Sequence, residues 1–544
     1  MSDREAIPNS WCIVPLSEVT SINPSKGQIE IDQKRLAHFV PMACVTGEFG
    51  GIDVSTTRLL KDVAKGYTAF REGDVLFAKI TPCMENGKIA VVPSLEFGLG
   101  FGSTEFHVLR PSEVALPMWI ARFLSQSSVR RNAQRSMTGS AGQLRVPSVW
   151  LAEQVLPLPP INEQRRVVAE IDELFSDLDA GVTALQRAKA NLKRYRAAVL
   201  KAAVEGKLTE EWRVEAASRR FSAAKTQRQD AASTYEPASA LLARILKERR
   251  QKWEADQLAK FAAAKKEPPK NWREKYVEPT PSVTTGLPEL PADWCWASVQ
   301  QVGSVQLGRQ RAPQHHSGQH MRPYLRVANV FEDRIDISDV MEMNFTPDEF
   351  ETYRLGYGDI LLNEGQSMEL IGRPAIYRDE VPGACFTNTL VRFRVYDGVD
   401  TDYALRVFLA YLKNGRFQKI ATITVNIAHL GAGRFSEIEF PLPPVEEQAA
   451  IIEEVDRHFS LIDAADKAIN LSLVRASRLR QSILKQAFDG KLVPQDPKDE
   501  PASVLLERLQ ASRSVHEGNG KAGTQNRTRG RRAKSKQLEG RADE

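Results

Sequence analysis

The chain has 544 residues, 42% of them hydrophobic, and a formal net charge of +5. That length predicts several domains able to bury real cores, and the mild basicity admits nucleic acid as a partner without demanding it. No run reaches the roughly 18 apolar residues of a membrane span, MSDREAIPNSW lacks a secretory apolar core, and Cys12, Cys44, Cys83, Cys295 and Cys385 form no C-x-x-C pair, which excludes a disulfide framework or cysteine-based zinc site; a cytoplasmic protein with no membrane partner is expected.

From about residue 10 to residue 156, short apolar runs (WCIVPL, HFVPMACV, DVLFAKI, KIAVV, EFHVL) broken by turns predict strands. Trp119, Ile120, Phe123, Leu124 and Val129 share a face at helical spacing, predicting a helix over Pro117 to Arg131. Gly98, Gly100 and Gly102 read as an ordinary turn, because no strand-loop-helix cofactor unit surrounds them. A mixed α and β module results.

PLPP at residue 157 can continue neither a strand ladder nor a helix, so a helix is predicted to start just after it. Ile171, Phe175, Leu178, Val182, Leu185, Ala188, Leu192, Tyr195 and Val199 then recur at alternating steps of four and three, the seam of a coiled coil. Some 43 helical residues would span about 65 Å, a strut that needs a partner helix. Residues 209–290 read as a charged, Ala-rich helix (LLARILKERRQKWEADQLAKFAAAKK) and a Pro-rich tether. The helix is expected to be solvated, with Lys247, Arg249, Arg250 and Lys252 as the alternative contact to DNA or a partner subunit.

The pattern then returns: WCWASV, YLRVANV, DILLNE, RPAIY and LVRFRV as strands, Tyr403 to Lys413 as the helix, and a second strut. Pro157 to Leu208 reappears without a gap as Pro441 to Leu492, 284 positions on. EPASALLARI at Glu236 reappears as EPASVLLERL at Glu500, so the first copy carries extra residues in between. Two whole modules are predicted rather than a solenoid, whose period would be about 20 to 50 residues. The second seam uses Val455, Phe459, Ile462, Ile469, Ala476, Leu479 and Ile483 but places Asp466 and Ser472 on it. Two struts could pair antiparallel with the modules at opposite ends, and divergent loops on a shared scaffold suggest different specificities. Beyond about residue 513 the basic tail NRTRGRRAKSKQ is expected to be disordered.

No P-loop, G-x-S-x-G, H-E-x-x-H or kinase signature is present, and His315, His316 and His320 in QHHSGQH lack companions at metal-ligand spacing. The informative loops are instead rich in amides, hydroxyls and cations: KITPCMENGK, MTGSAGQLR, LLNEGQSMELIGR and AHLGAGR. Such groups suit DNA: amides bond adenine edges, Arg and Lys take guanine or phosphate, and hydroxyls hold phosphates. Asn86, Gln143, Asn363, Gln366 and Asn388 are candidates for base edges, and Lys79, Lys88, Arg145, Arg373 and Arg434 for phosphate or guanine. Thr81, Thr138, Ser140, Glu364, Ser367 and His429 complete the candidate surface. The bland alternative for each is loop capping or solvated charge.

GDVLFAKITPCMENGK, TGSAGQLRVP, PLPPINEQRRVVAEIDELF and GDILLNEGQS, in this order and with the duplicated helix, resemble the specificity (S) subunit of type I restriction-modification systems over almost the whole chain. The resemblance implies an α+β protein with two mixed α/β target recognition domains, separated by two long helices that pair as an antiparallel coiled coil with pseudo-two-fold symmetry. The expected divisions are residues 1–156 (first domain), 157–208 (central helix), 209–290 (insertion and linker), 291–440 (second domain), 441–512 (distal helix) and 513–544 (tail), the linker and the tail lying outside what the resemblance covers. It further implies a non-catalytic, double-stranded DNA-binding subunit that reads a bipartite site. The helices would set the spacer and dock two methyltransferase subunits, with Glu163, Gln164, Phe175, Glu447, Gln448 and Phe459 as docking candidates. Restriction subunits would join them, and S-adenosylmethionine, ATP and magnesium would belong to those partners, none being a cofactor of this chain. Two rival readings are a self-contained methyltransferase or nuclease, which requires a cofactor fold not found here, and a coiled-coil scaffold with protein-binding ends, which predicts no salt-dependent DNA affinity.

Overall fold

The computed structural model describes residues 7–26, 34–47, 51–140, 142–225, 235–425 and 427–512; the tail from residue 513 lies outside the described residues. The chain divides into two compact units, one running to Leu185 and resuming at Asn470, the other spanning Gln186–Ile469. The division runs through both long helices, so each unit holds one globular domain and a stretch of each helix.

In the first unit Cys12–Pro15 pairs antiparallel with Val155–Leu158; against expectation Pro157 and Leu158 of the PLPP segment do continue a strand ladder, which a two-stranded edge pairing permits because the proline N–H is not needed there. One antiparallel sheet runs in the order Thr20–Ile22, Phe106–Pro111, Val75–Ala78, Ile89–Val91. Alternate residues of Val75–Ala78 enter different cores: Val75 and Phe77 join Trp119, Ile120 and Leu124, while Leu76 and Ala78 join Val40, Phe70 and Phe106. A second sheet orders Thr57–Leu59, Leu36–Val40, Gly100–Gly102 and Thr68–Phe70, with Leu36–Val40 and Gly100–Gly102 parallel.

Two further expectations fail in this unit. Of the glycines read as a turn, Gly98 does lie in one, with φ of 67°, but Gly100 and Gly102 belong to the strand Gly100–Gly102, and the reason is space: a Cβ on Gly100 would sit 2.1 Å from the Phe70 ring. The single helix expected over Pro117 to Arg131 is two, Pro117–Leu124 and Ser127–Arg135. Ser125 Oγ bonds back to the Ala121 carbonyl at 2.7 Å and Gln126 is extended, which turns the chain so that Val129 and Ala133 become buried.

The second unit repeats the plan. Cys295–Ser298 pairs with Glu439–Leu442, and an antiparallel sheet orders Gly303–Leu307, Leu390–Val395, Ile360–Asn363, Pro374–Ile376. A further sheet again contains one parallel pair, Met321–Leu325 with Cys385–Phe386. Equivalent ion pairs fasten both central sheets. Arg110 holds buried Asp74 at 2.8 and 2.7 Å, and Arg394 holds buried Asp359 at 2.6 and 2.8 Å.

The two long helices, Ile161–Val204 and Val445–Phe488, have 44 residues each, about 66 Å at 1.5 Å per residue. They pack together antiparallel. In the first unit Asp179 meets Arg480, and Ile171 and Phe175 share a core with Ile483, Leu484 and Ala487. In the second unit Arg196 meets Asp463, Tyr195 Oη lies 2.9 Å from His458 Nδ1, and Val199 and Ala203 share a core with Ile451 and Val455. Asp466, the polar residue on the second seam, lies 3.8 Å from Lys189.

What the repeated PLPP-x-x-EQ does is visible at each helix start. Gln164 accepts the Leu116 N–H at 2.8 Å and donates to the carbonyls of Val114 and Pro159, both at 2.9 Å. Gln448 likewise accepts from Asp400 N–H at 2.6 Å and donates to Gly398 and Pro443 at 3.0 and 3.2 Å. Trp119 Nε1 reaches the Pro157 carbonyl at 3.0 Å, and Tyr403 Oη the Pro441 carbonyl at 2.8 Å. Each motif therefore welds its domain to its strut by satisfying buried backbone groups. Glu163, Gln164, Phe175, Glu447 and Gln448 are all buried by the chain's own packing, so these five docking candidates are not an outward face; Phe459 is half-buried beneath the Arg196 guanidinium, 4.2 Å from its ring. Burial pushes the Glu163 carboxyl above its usual range, whereas Glu447 receives Trp294 Nε1 at 2.8 Å, Thr209 Oγ1 at 2.7 Å and the Arg213 guanidinium.

Each repeat ends at a Gly-Lys-Leu because Gly206 and Gly490 take left-handed conformations, both with φ of 71°, and the next N–H closes the helix onto Ala202 or Gln486. The EPAS helix that follows packs on the other repeat's domain. In the second unit Ala238, Leu241 and Ile245 of Ala238–Ala263 are buried near Val299, and Ala238 N–H bonds to the Asp293 carbonyl at 3.0 Å. In the first unit Ala502 and Leu509 are buried in the core with Trp11, and Ala502 N–H bonds to the Ser10 carbonyl at 3.0 Å. The expected solvated helix is thus anchored at its start and exposed farther on, where Lys247, Arg250 and Lys252 lie. The expected tether is strapped to its own unit: Trp272 stacks on Trp253, and the Thr280 carbonyl accepts from Ser298 Oγ at 2.7 Å. A further helix, Glu210–Lys225, belongs to the extra residues of the first copy.

Candidate nucleic-acid interface

In the first unit the strand Val75–Ala78 runs into the loop KITPCMENGK, and the hairpin Thr138–Arg145 folds beside it. Thr138 and Arg145 exchange backbone bonds of 3.0 and 2.8 Å, Ile80 bridges to Arg145, and Thr81 N–H bonds to the Leu144 carbonyl at 3.0 Å. Two loops far apart in sequence thereby become one surface carrying exposed Asn86, Thr138, Ser140 and Gln143, with Lys79 and Thr81 half-buried.

The cations of this surface are largely engaged. Arg145 grips Glu105 at 2.9 and 2.8 Å, and that bond holds the Glu105 carboxyl below the usual carboxylate range. Lys88 Nζ bonds to the Met42 carbonyl at 2.8 Å. Arg145 and Lys88, expected at phosphate or guanine, thus shape the loops. Behind them His107 donates Nε2–H to the Val146 carbonyl at 2.8 Å and accepts from Asn23 at 3.0 Å; burial pushes its pKa down, keeping the ring neutral.

The second unit has an equivalent arrangement. The strand Ile360–Asn363 leads into Gly365–Gln366, which pairs with Ile427–His429, itself the return strand of a hairpin beginning at Thr422–Thr424. The pair Gly365–His429 stands where Ile80–Arg145 stands in the first unit. Glu364 clamps the hairpin, its carboxylate taking His429 Nδ1 at 3.0 Å and Gly431 N–H at 3.3 Å. Arg434 donates to the Ile420 carbonyl at 2.7 Å, the His429 carbonyl at 2.9 Å and Thr422 Oγ1 at 3.1 Å.

These contacts reassign several candidates. Asn363, expected at a base edge, is fully buried, because its side chain alternates inward from a strand covered on both faces. Glu364, His429 and Arg434 brace the hairpin. Arg373 lies 4.7 Å over the Phe331 ring, and burial lowers its pKa. Gln366 and Asn388 are half-buried and Ser367 is exposed. Missed by the sequence reading is the hairpin tip: Ile423, Val425 and Ile427 are 66%, 89% and 48% exposed. The alternation of apolar residues in TITVNI carries that signal.

His315 in QHHSGQH turns its ring to Arg309, 3.1 Å away, within a cluster that also ties Arg309 to Glu349 at 2.8 Å. No helix among the described residues is long and apolar enough to cross a membrane.

Comparison with known proteins points one way. Residues 323–473 match the type I restriction modification DNA specificity domain. The chain is 26% identical to the EcoAI type I restriction enzyme specificity subunit of Escherichia coli, over 83% of this chain and 77% of that one. It is 24% identical to the EcoKI specificity subunit of Escherichia coli strain K12, over 94% and 97%. A solved chain from work on complex assembly and conformational transition of the type I R-M system superposes with a TM-score of 0.59 at 17% identity, covering 89% of this chain and 99% of that chain.

Proposed function

Starting from the fact that the chain belongs to the DNA specificity subunits of type I restriction-modification systems, we propose that each of its two domains reads one half of a bipartite double-stranded site. The observation that carries this reading is the repeated hairpin. In both units it is set against the end of the central sheet and braced by a carboxylate, Glu105 on Arg145 in one and Glu364 on His429 in the other. The exposed side chains it presents nevertheless differ, Ser140 and Gln143 against Ile423 and Val425. A shared scaffold with unlike tips is what two different half-sites require.

The paired helices then act as the ruler between half-sites and as the carriers of two methyltransferase subunits. Docking uses outward side chains such as Leu461 in the second unit and Leu471 in the first, both exposed, and not the buried Glu-Gln pairs. Methyl transfer from S-adenosylmethionine, ATP-driven movement and cleavage belong to the partner methyltransferase and restriction subunits, and the assembly works in the cytoplasm. Mapping modified adenines by long-read sequencing, in cells expressing this chain with its neighbouring subunits, should reveal one motif of two defined parts and a fixed gap. A continuous motif, or no motif, refutes the reading.

A further inference from the structure

The hairpin tip of the second domain carries chemistry that its counterpart in the first domain lacks. Between residues 138 and 145 the first hairpin reads TGSAGQLR, with Thr138, Ser140 and Gln143 exposed. Between residues 422 and 429 the second reads TITVNIAH. Its register pairs Thr422 with His429, Ile423 with Ala428 and Thr424 with Ile427. Ile423, Val425 and Ile427 are turned to solvent on a ribbon two strands wide at its tip.

Val425 is the telling residue. Its φ is 48°, in the left-handed region where a β-branched side chain is an outlier and where Asn, Asp or Gly would sit without strain. It is also the most exposed large apolar side chain described, so burial within the chain does not account for it. Strained residues of this kind cluster at active sites and ligand clamps. The base of the ribbon is rigid, held by Glu364 on His429 and Gly431 and by the three donations from Arg434. Gln366, on the strand adjoining Ile427–His429, lies alongside as an amide able to bond a base edge.

We propose that this ribbon enters the DNA major groove and that Ile423, Val425 and Ile427 read thymine through its 5-methyl group. The proposal rests on the DNA-reading function above and deepens it. A two-stranded ribbon fits the major groove, the thymine methyl is the one apolar group displayed there, and apolar side chains are what recognise it. The first domain's hairpin, built of hydroxyls and an amide, instead reads its half-site by hydrogen bonds.

The test uses the full chain in complex with its methyltransferase subunits and duplexes carrying the mapped site, with each thymine of the second half-site replaced by uracil, which differs only by that methyl. Wild-type affinity should fall about four-fold for each methyl read, from the value of one buried carbon. The triple variant Ile423→Ala, Val425→Ala, Ile427→Ala should bind more weakly and lose its discrimination between thymine and uracil; since these side chains are exposed, folding is checked by an unchanged circular dichroism spectrum and unfolding midpoint. Uracil in the first half-site serves as the control, affecting wild type and variant alike. Indifference of the wild type to uracil, a second half-site without thymine, or discrimination that survives in the triple variant would each overturn the proposal. If binding to the whole site stays specific and salt-dependent in those cases, the DNA-reading function stands and only the assignment of the ribbon falls; loss of any such binding in the wild type would refute both.

Discussion

At the scale of single residues, the glutamine of each PLPP-x-x-EQ motif decides more than its solvent-facing appearance in sequence suggests. Gln448 is fully buried and satisfies three backbone groups across the junction of helix and domain. Substituting Gln448→Leu would keep the volume but strand the Asp400 N–H and the carbonyls of Gly398 and Pro443. An unpaired buried group costs about 1–3 kcal/mol, so a loss of roughly 3 kcal/mol is expected, read from the urea midpoint. A loss below about 1 kcal/mol would mean that water replaces the amide. The same scale explains why charge in the loops misled the sequence reading. Arg145, Arg434 and Glu364 were expected to face a ligand, yet each is committed to the backbone or to an opposite charge. Residue type announces donors and acceptors, and only geometry shows whether they are already engaged.

At the scale of elements, the coiled-coil period predicted both long helices and their pairing, because period and length survive whatever the ends do. It also exposed the weak point, Asp466. In the structure this carboxylate faces Lys189 at 3.8 Å, and both side chains remain partly exposed. A half-exposed pair contributes little attraction, whereas a leucine pair at the same seam would bury apolar surface. The double substitution Lys189→Leu, Asp466→Leu should therefore raise stability by about 1 kcal/mol, seen as a higher urea midpoint. An unchanged or lower midpoint would mean that the pair holds the register and that leucines pay for its loss in alternative pairings. The glycine strand shows the converse limitation: Gly100–Gly102 has no side-chain pattern to read, and its identity as a strand follows from Phe70 lying across it.

At the scale of the whole molecule, the duplication is closed by segments that return to the other repeat's domain. In the first unit the C-terminal residues Ala502 and Leu509 share a core with Trp11, Asp499 pairs with Arg166 at 2.7 Å, and Phe488 lies 4.2 Å from the Trp119 ring. An exchange of residues 1–156 for the corresponding domain of a related specificity subunit should thus change only one half of the recognised site, yet yield a less stable protein unless residues 490–512 are exchanged with it. Adenine mapping and thermal unfolding of both chimaeras check the two parts. A change in both half-sites would show that the domains do not read independently, and equal stability of the chimaeras would show that the returning segment is interchangeable.

The sequence by itself determined the duplication, the helical struts, fewer than half of the strands and the family resemblance, because these rest on period and on motifs repeated at constant spacing. Tertiary structure alone decided which polar groups are available. The repeated Glu-Gln became a buried joint, Asn363 moved inside, and an apolar hairpin tip came to the surface beside Gln366. The reason is physical: periodicity reports which face of an element is apolar, while availability depends on partners brought from distant parts of the chain, as Glu364 is brought to His429 and Glu105 to Arg145.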